Sequence, residues 1–250
     1  RFKLNKKTLF YVAGMVGSKK GLYEAPYVSV PTTIKNLASK ITKRKYSNIK
    51  LNIVPGLVNK QNKFYDVIRG EETLAIGAIN KLKLNGVAYL CCPGSHSKWL
   101  LVNNNKINHF TTYMSGELYN AISKSTILAQ SIKNDSSKFS NIFFTKGLLL
   151  VKQGGSISNI LFKIRTMDIF MQNNAYQRAS FLSGIIIGAE ISEISKQKNI
   201  IRSKVILIAG GSLTKLYSLS LNFFKIKFKL VQADSCFVIG MKKLYEVVNG

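Results

Sequence analysis

Runs of apolar residues alternate with amphipathic stretches along most of the chain. "TLFYVAGMVGS" predicts a buried strand ending in a glycine-bearing turn, and "NIKLNIVPGL" predicts another, stopped by Pro55-Gly56. After Gly70 the period changes. Glu71, Glu72 and Thr73 fill a first turn, and Leu74, Ile76 and Ile79 give an apolar face, so a helix starts at Glu71. "GVAYLCCPG" and "KWLLVNNNKINHFTTYM" predict two or three strands, with "NNNK" as a hairpin turn. "SGELYNAISKSTILAQSI" predicts a helix with Ser115 as N-cap and Leu118, Ile122 and Ile127 on one side. In "ASFLSGIIIGAEISEIS", the Gly184/Gly188 spacing predicts a helix pressed closely against a neighbour. "KVILIAGGS" and "KFKLVQADS" are strands, each followed by a helix. Strands alternating with helices and interrupted by hairpins predict an α/β fold with mixed sheets.

Composition changes this picture little. The chain has 250 residues, 46% hydrophobic and 19% charged, which is a globular balance that can bury a core in one large domain or two small ones. No apolar stretch reaches the roughly 20 residues needed to span a bilayer, and the N-terminus lacks a signal-peptide pattern, so no membrane partner is expected. Cys91 and Cys92 are adjacent and Cys236 is distant. That spacing suits neither a disulfide nor a metal site and points to a reducing, cytoplasmic setting.

Charge raises a sharper question. Lys+Arg number 37 against 11 Asp+Glu, a formal net charge of +26. Such an excess can mark a nucleic-acid binder. Here the lysines fall in short, separate runs, without an aromatic-and-basic stacking platform. Abundant Lys, Asn and Ile suit AT-rich codons, and compositional drift is the favoured reading. In so acid-poor a chain the adjacent Glu71 and Glu72 are informative, with Asp66 and Arg69 just before them. By pattern alone they read as a helix start whose acidic first turn suits the dipole. Arg69 is either a fork for a substrate carboxylate or an ion-pair partner of Asp66.

The loop "PGSHSK" is the other candidate. Free backbone N–H groups around Gly94, Ser95 and Ser97 can form an anion-binding nest, and Lys98 adds a point charge. His96 is read as a hydrogen-bonding loop residue and Trp99 as core or cleft wall.

Six segments occur in order: "GMVGSKKGLYEAPYVSVP", "DVIRGEETLAIGA", "PGSHSKWLLV", "TTYMSGELYNAIS", "FLSGIIIGAEI" and "VILIAGGSLTKLYSLSL". Together they resemble the 2-dehydro-3-deoxygalactonokinase family of the actin-like ATPase superfamily, over nearly the whole chain. The resemblance implies an actin-like ATPase fold of two ribonuclease-H-like domains around a cleft. Residues 1–84 would be the remainder of the first, sugar-acid-side domain, and residues 85–250 the second, nucleotide-side domain. It implies ATP-dependent phosphorylation of the 6-hydroxyl of 2-dehydro-3-deoxy-D-galactonate in galactonate catabolism, with ATP and Mg²⁺ as cofactors. Glu71 falls where glycerol-type kinases carry the general base, with Glu72 next. Arg69, Gly14, Met15, Gly17 and Ser18 would border the sugar-acid pocket. Gly94, Ser95, His96, Ser97 and Lys98 would face the nucleotide phosphates, and Gly210, Gly211 and Ser212 of "IAGGS" the adenosine.

The family pattern opens with a phosphate-binding strand and hairpin, whereas this chain starts at Arg1, beyond it. The resemblance therefore implies an N-terminally truncated member with an incomplete first domain. A catalytically inactive relic that binds ligand or partner is the alternative, followed by a basic nucleic-acid binder. Homo-oligomerisation stays open.

Overall fold

In a computed structural model, which describes residues 8–61, 63–132, 138–197 and 200–250, three sheets carry the chain. The first half supplies β1 (Leu9–Val12), β2 (Tyr27–Ser29), β3 (Thr32–Thr33), α1 (Ile34–Ala38), β4 (Thr42–Tyr46), β5 (Ile49–Ile53), β6 (Gly56–Asn59), β7 (Asp66–Ile68) and α2 (Glu71–Leu82). The second half supplies β8 (Val87–Cys92), β9 (Ser97–Asn103), β10 (Lys106–Tyr113), α3 (Ser115–Ser125), α4 (Asn141–Lys152) and α5 (Ile157–Phe170). It continues through α6 (Ala175–Ser195), β11 (Lys204–Ala209), α7 (Gly211–Phe223), β12 (Phe228–Gln232) and α8 (Ala233–Asn249).

Two three-stranded sheets, ordered β1-β5-β4 and β2-β6-β7, lie in the first half, and a six-stranded sheet, β12-β11-β8-β9-β10-β3, dominates the second. Strands β8, β11 and β12 run parallel, while β9, β10 and β3 add on antiparallel, so the sheet is mixed as the pattern predicts. Both of its faces are covered. Leu90, Cys92, Leu100, Ile206 and Ile208 point to one core, with α2 and α8. Cys91, Trp99, Val205 and Leu207 point to the other, with α4, α6 and α7. Burial on both faces is why β11, after Lys204, reads "VILIA", an unbroken apolar run rather than an alternating one.

The predicted boundary at 84/85 falls between α2 and β8. Across it, β3 pairs with β10, and α2 packs on α8 so closely that a Cβ on Gly77 would lie 1.8 Å from the Cys236 carbonyl oxygen. The glycine spacing of α6 has the same purpose: a Cβ on Gly184 would sit 2.1 Å from the Phe144 carbonyl oxygen of α4.

Four local expectations need correction. The first strand ends in its glycine-bearing turn as expected, but it is not buried: Leu9 is exposed and Phe10, Tyr11 and Val12 are half-buried. β5 stops before Pro55 as expected, but Gly56 is not part of the stop; it opens β6 in another sheet. Met114, not Ser115, occupies the N-cap position of α3, because the Ser115 hydroxyl is committed elsewhere. Leu118 and Ile127 are exposed, so only Ile122 of the three packs inward.

Candidate functional site

The hairpin between β8 and β9 is the centre of the site. Cys92 pairs with Lys98, and Pro93–His96 form the tip. The tip is clamped by the start of α3. The Glu117 N–H donates to the Ser95 carbonyl at 3.0 Å, the His96 ring pairs with the Glu117 carboxylate, and Gly116 lies against Gly94 with no room for a side chain. This clamp leaves Gly94 open: a Cβ there would meet nothing closer than 3.8 Å. The exposed turn is thus free to receive an anion.

On one side of the tip lies a cavity of about 390 Å³. Its wall includes Met15, Ser18, Tyr27, Arg69, Glu71 and Lys98. Gly70, at φ +115°, turns the chain from β7 into α2 and aims Glu71 into this space. One Glu71 oxygen lies 3.2 Å from the Lys98 ammonium, and the other accepts the Arg69 backbone N–H at 3.2 Å. Lys98 also donates to the His96 carbonyl at 2.6 Å. Arg69 lies over the Tyr27 ring, its Cζ 4.3 Å from the ring centre, and donates through Nη2 to the Ala25 carbonyl at 2.8 Å. Its Nε and Nη1 are buried with no partner, and so is the Ser18 hydroxyl. Buried donors left unpaired are costly, and their place in the wall suits an anionic ligand. The alternative pairing with Asp66 does not form; Asp66 accepts the Thr112 N–H at 2.7 Å instead.

Glu72 faces the other way. Its side chain is wholly buried, accepting the Gly70 N–H at 2.7 Å and the Thr73 hydroxyl at 3.3 Å. Burial pushes its pKa up to about 7 against these hydrogen bonds. The adjacent carboxylates are therefore separated: Glu71 lines the cavity and Glu72 braces the turn that presents it.

On the other side of the tip is a second cavity, of about 410 Å³, walled by α3, α6 and the start of α7. Gly94 and Ser95 line both cavities. Ser212 lines the second; Gly210 and Gly211 precede it, with open space where a Cβ would stand, and Gly211 has φ +58°. Met15, Ser18, Arg69, Glu71, His96 and Lys98 gather on the first side. Gly14 stands outside both linings, next to Gly70. Ser97 is fully buried and its hydroxyl donates to Glu190. Sequence reasoning missed Tyr27, the α3 and α6 wall residues such as Tyr119 and Ser183, and Glu190 itself. A glutamate inside the apolar "SGIIIGAEI" was the one signal for the last.

A family model described as 2-keto-3-deoxy-galactonokinase matches residues 2–244. The chain belongs to this family. It is 30% identical over 243 residues to the 2-dehydro-3-deoxygalactonokinase of Escherichia coli (strain K12), covering 97% of this chain and 80% of that protein. With "Probable 2-dehydro-3-deoxygalactonokinase DgoK1" of Rhizobium meliloti (strain 1021), identity is 29% over 232 residues, covering 92% and 75%. The crystal structure of a candidate 2-dehydro-3-deoxygalactonokinase from Sinorhizobium meliloti matches with a TM-score of 0.87 at 28% identity, covering 96% of this chain and 78% of that one. The family is one of sugar-acid kinases, and the expected actin-like α/β kinase fold is borne out. Among the described residues no helix is long and apolar enough to cross a membrane.

Proposed function

We propose that the chain transfers the γ-phosphoryl group of ATP to the 6-hydroxyl of 2-dehydro-3-deoxy-D-galactonate. One observation carries this reading: the Gly94–Ser95 tip lines two cavities at once, one holding a carboxylate and unpaired cationic donors, the other walled by nucleotide-sized space. A phosphoryl group lying on that tip is within reach of an acceptor on one side and attached to its donor on the other.

The sugar acid binds with its carboxylate on the unpaired Arg69 nitrogens and the Ser18 hydroxyl, which supplies the partners these buried groups lack. Its 6-hydroxyl then points to Glu71. As the oxygen attacks the γ-phosphorus, the bond to ADP breaks and the hydroxyl proton passes to the Glu71 carboxylate. Lys98 and the Arg69 N–H hold that carboxylate in orientation, and Lys98 offsets charge beside the tip. The nucleotide base lies toward Gly210, Gly211 and Ser212.

Among the described residues no three His, Cys, Asp or Glu are grouped to hold a metal. The wall of the first cavity supplies the single carboxylate of Glu71, and so few protein donors suit Mg²⁺ carried on the phosphates, which is its usual mode in kinases. Bound there it would supply charge neutralisation on the transferring group; Glu71 is the cavity carboxylate beside the phosphate tip. Three buried, free thiols suit a reducing compartment, and we place the reaction in cytoplasmic galactonate catabolism.

The test is direct. Incubate the chain with ATP, Mg²⁺ and the sugar acid, and follow phosphorus by NMR. A new phosphomonoester coupled to the C6 protons is expected; ATP consumption without it, or a product at another hydroxyl, contradicts the assignment.

A further inference from the structure

The Glu190 carboxylate lies on α6 and is 2% exposed. It has no cationic partner among the described residues, yet four side chains donate to it. Ser97 Oγ and Trp99 Nε1 approach Oε1 at 2.7 and 2.8 Å. Ser115 Oγ and Tyr217 Oη approach Oε2 at 2.5 and 2.8 Å. These donors come from three elements. Ser97 and Trp99 are on β9, the returning arm of the phosphate hairpin, while Ser115 opens α3 and Tyr217 is on α7. Ser115 and Tyr217 also line the nucleotide cavity.

A buried carboxylate is costly to desolvate, and hydrophobic packing of this helix would not need it. What it provides is a single acceptor shared by the hairpin arm and two walls of the nucleotide cavity. Ser97 is two residues from the tip, so its tether sets where Gly94 and Ser95 stand relative to those walls. We infer that Glu190 is a positioning residue for phosphoryl transfer, fixing the phosphate hairpin against the nucleotide cavity. This rests on the proposed kinase reading for the identity of the ligand, not for the geometry.

The isosteric change Glu190→Gln separates positioning from mere packing. The Trp99 indole can only donate, so the amide oxygen must take the Oε1 place and the amide nitrogen the Oε2 place. The Ser115 and Tyr217 hydroxyls can rotate to accept from that nitrogen. Each donor keeps a partner, but the charge-assisted bonds to the cavity walls are replaced by weaker, reversed ones.

The experiment measures ADP affinity by calorimetry together with steady-state kinetics on the full chain. Glu190→Gln should weaken ADP and raise the KM for ATP about tenfold, equivalent to one good hydrogen bond, while the sugar-acid KM shifts less than about twofold. Ser97→Ala, which cuts only the hairpin tether, should move the same parameters in the same direction by a smaller factor. Unchanged ADP affinity and ATP KM in both variants, with only a lowered melting temperature, overturns the inference. If Glu190→Gln does not fold, Ser97→Ala decides alone. A wild-type chain that binds ADP but phosphorylates no sugar acid sinks the acceptor assignment and leaves this inference standing. A wild-type chain that binds no ADP overturns both.

Discussion

Glu72→Gln tests how the turn before α2 is held. In the folded chain burial pushes the Glu72 carboxyl from its ordinary value of 4.5 up to about 7, because burial disfavours its charge more than its hydrogen bonds favour it. A raised carboxyl pKa means the folded state holds the proton more tightly than the unfolded chain. The group therefore favours folding in acid, and that contribution drains away as pH rises from 4.5 to 7. Linkage between those two values gives a loss of about 2.5 kcal/mol from pH 5 to pH 8. Glutamine keeps an oxygen to accept the Gly70 N–H at 2.7 Å and cannot ionise. Urea unfolding of both proteins at pH 5, 6, 7 and 8 isolates this group, since every other titration is common to both. The gap between variant and wild type should move by about 2.5 kcal/mol in favour of the variant across that range. A constant gap would refute the reasoning: it would mean Glu72 is ionised alike in both states, and so not desolvated. Movement in the opposite direction would mean the Gly70 and Thr73 hydrogen bonds outweigh burial.

Other outcomes follow from the same geometry. Arg69→Gln removes the unpaired guanidinium donors and should raise the sugar-acid KM by about 10–100-fold, with ATP KM little changed; Arg69→Lys, a point charge without the fork, should recover only part of it. An equal effect on both substrates would remove Arg69 from acceptor recognition. Gly77→Ala forces a methyl against the Cys236 carbonyl and should cost about 3 kcal/mol in urea unfolding; a change below about 0.5 kcal/mol would show α2 and α8 further apart than described.

Elements whose causes are local were legible in the sequence. Gly70 followed by an acidic first turn announces α2, and "PGSHSK" between apolar runs announces the hairpin, because both signals lie within a few neighbouring residues. The mixed character of the large sheet was legible from β8, β9, β10, β11 and β12, each long enough to show its pattern. The strands β2 and β3, with three and two residues, carry no period to read, and their places depend on distant partners at Gly56–Val58 and Lys106–Ile107. Ser115 shows the same limit within the site. Its position before a helical pattern suggests an N-cap, but a carboxylate 75 residues away takes its hydroxyl. The different fates of Glu71 and Glu72 were equally hidden, since successive residues of a helix point about 100° apart and only the packed neighbours decide which one is buried. Burial leaves Glu72 wholly covered and Glu71 at 21% side-chain exposure beside Lys98.

The central claim is that Glu71 takes the acceptor proton beside a phosphate held on the Gly94–Ser95 tip. The direct measurement is kcat of Glu71→Gln against wild type, with ADP affinity taken in parallel on the same preparations. Glutamine keeps size and hydrogen bonding but cannot accept the hydroxyl proton. In Glu71→Gln kcat should fall by about 10²–10⁴ with ADP affinity nearly unchanged. A Glu71→Gln variant that turns over near the wild-type rate, while Glu72→Gln does not, would contradict it.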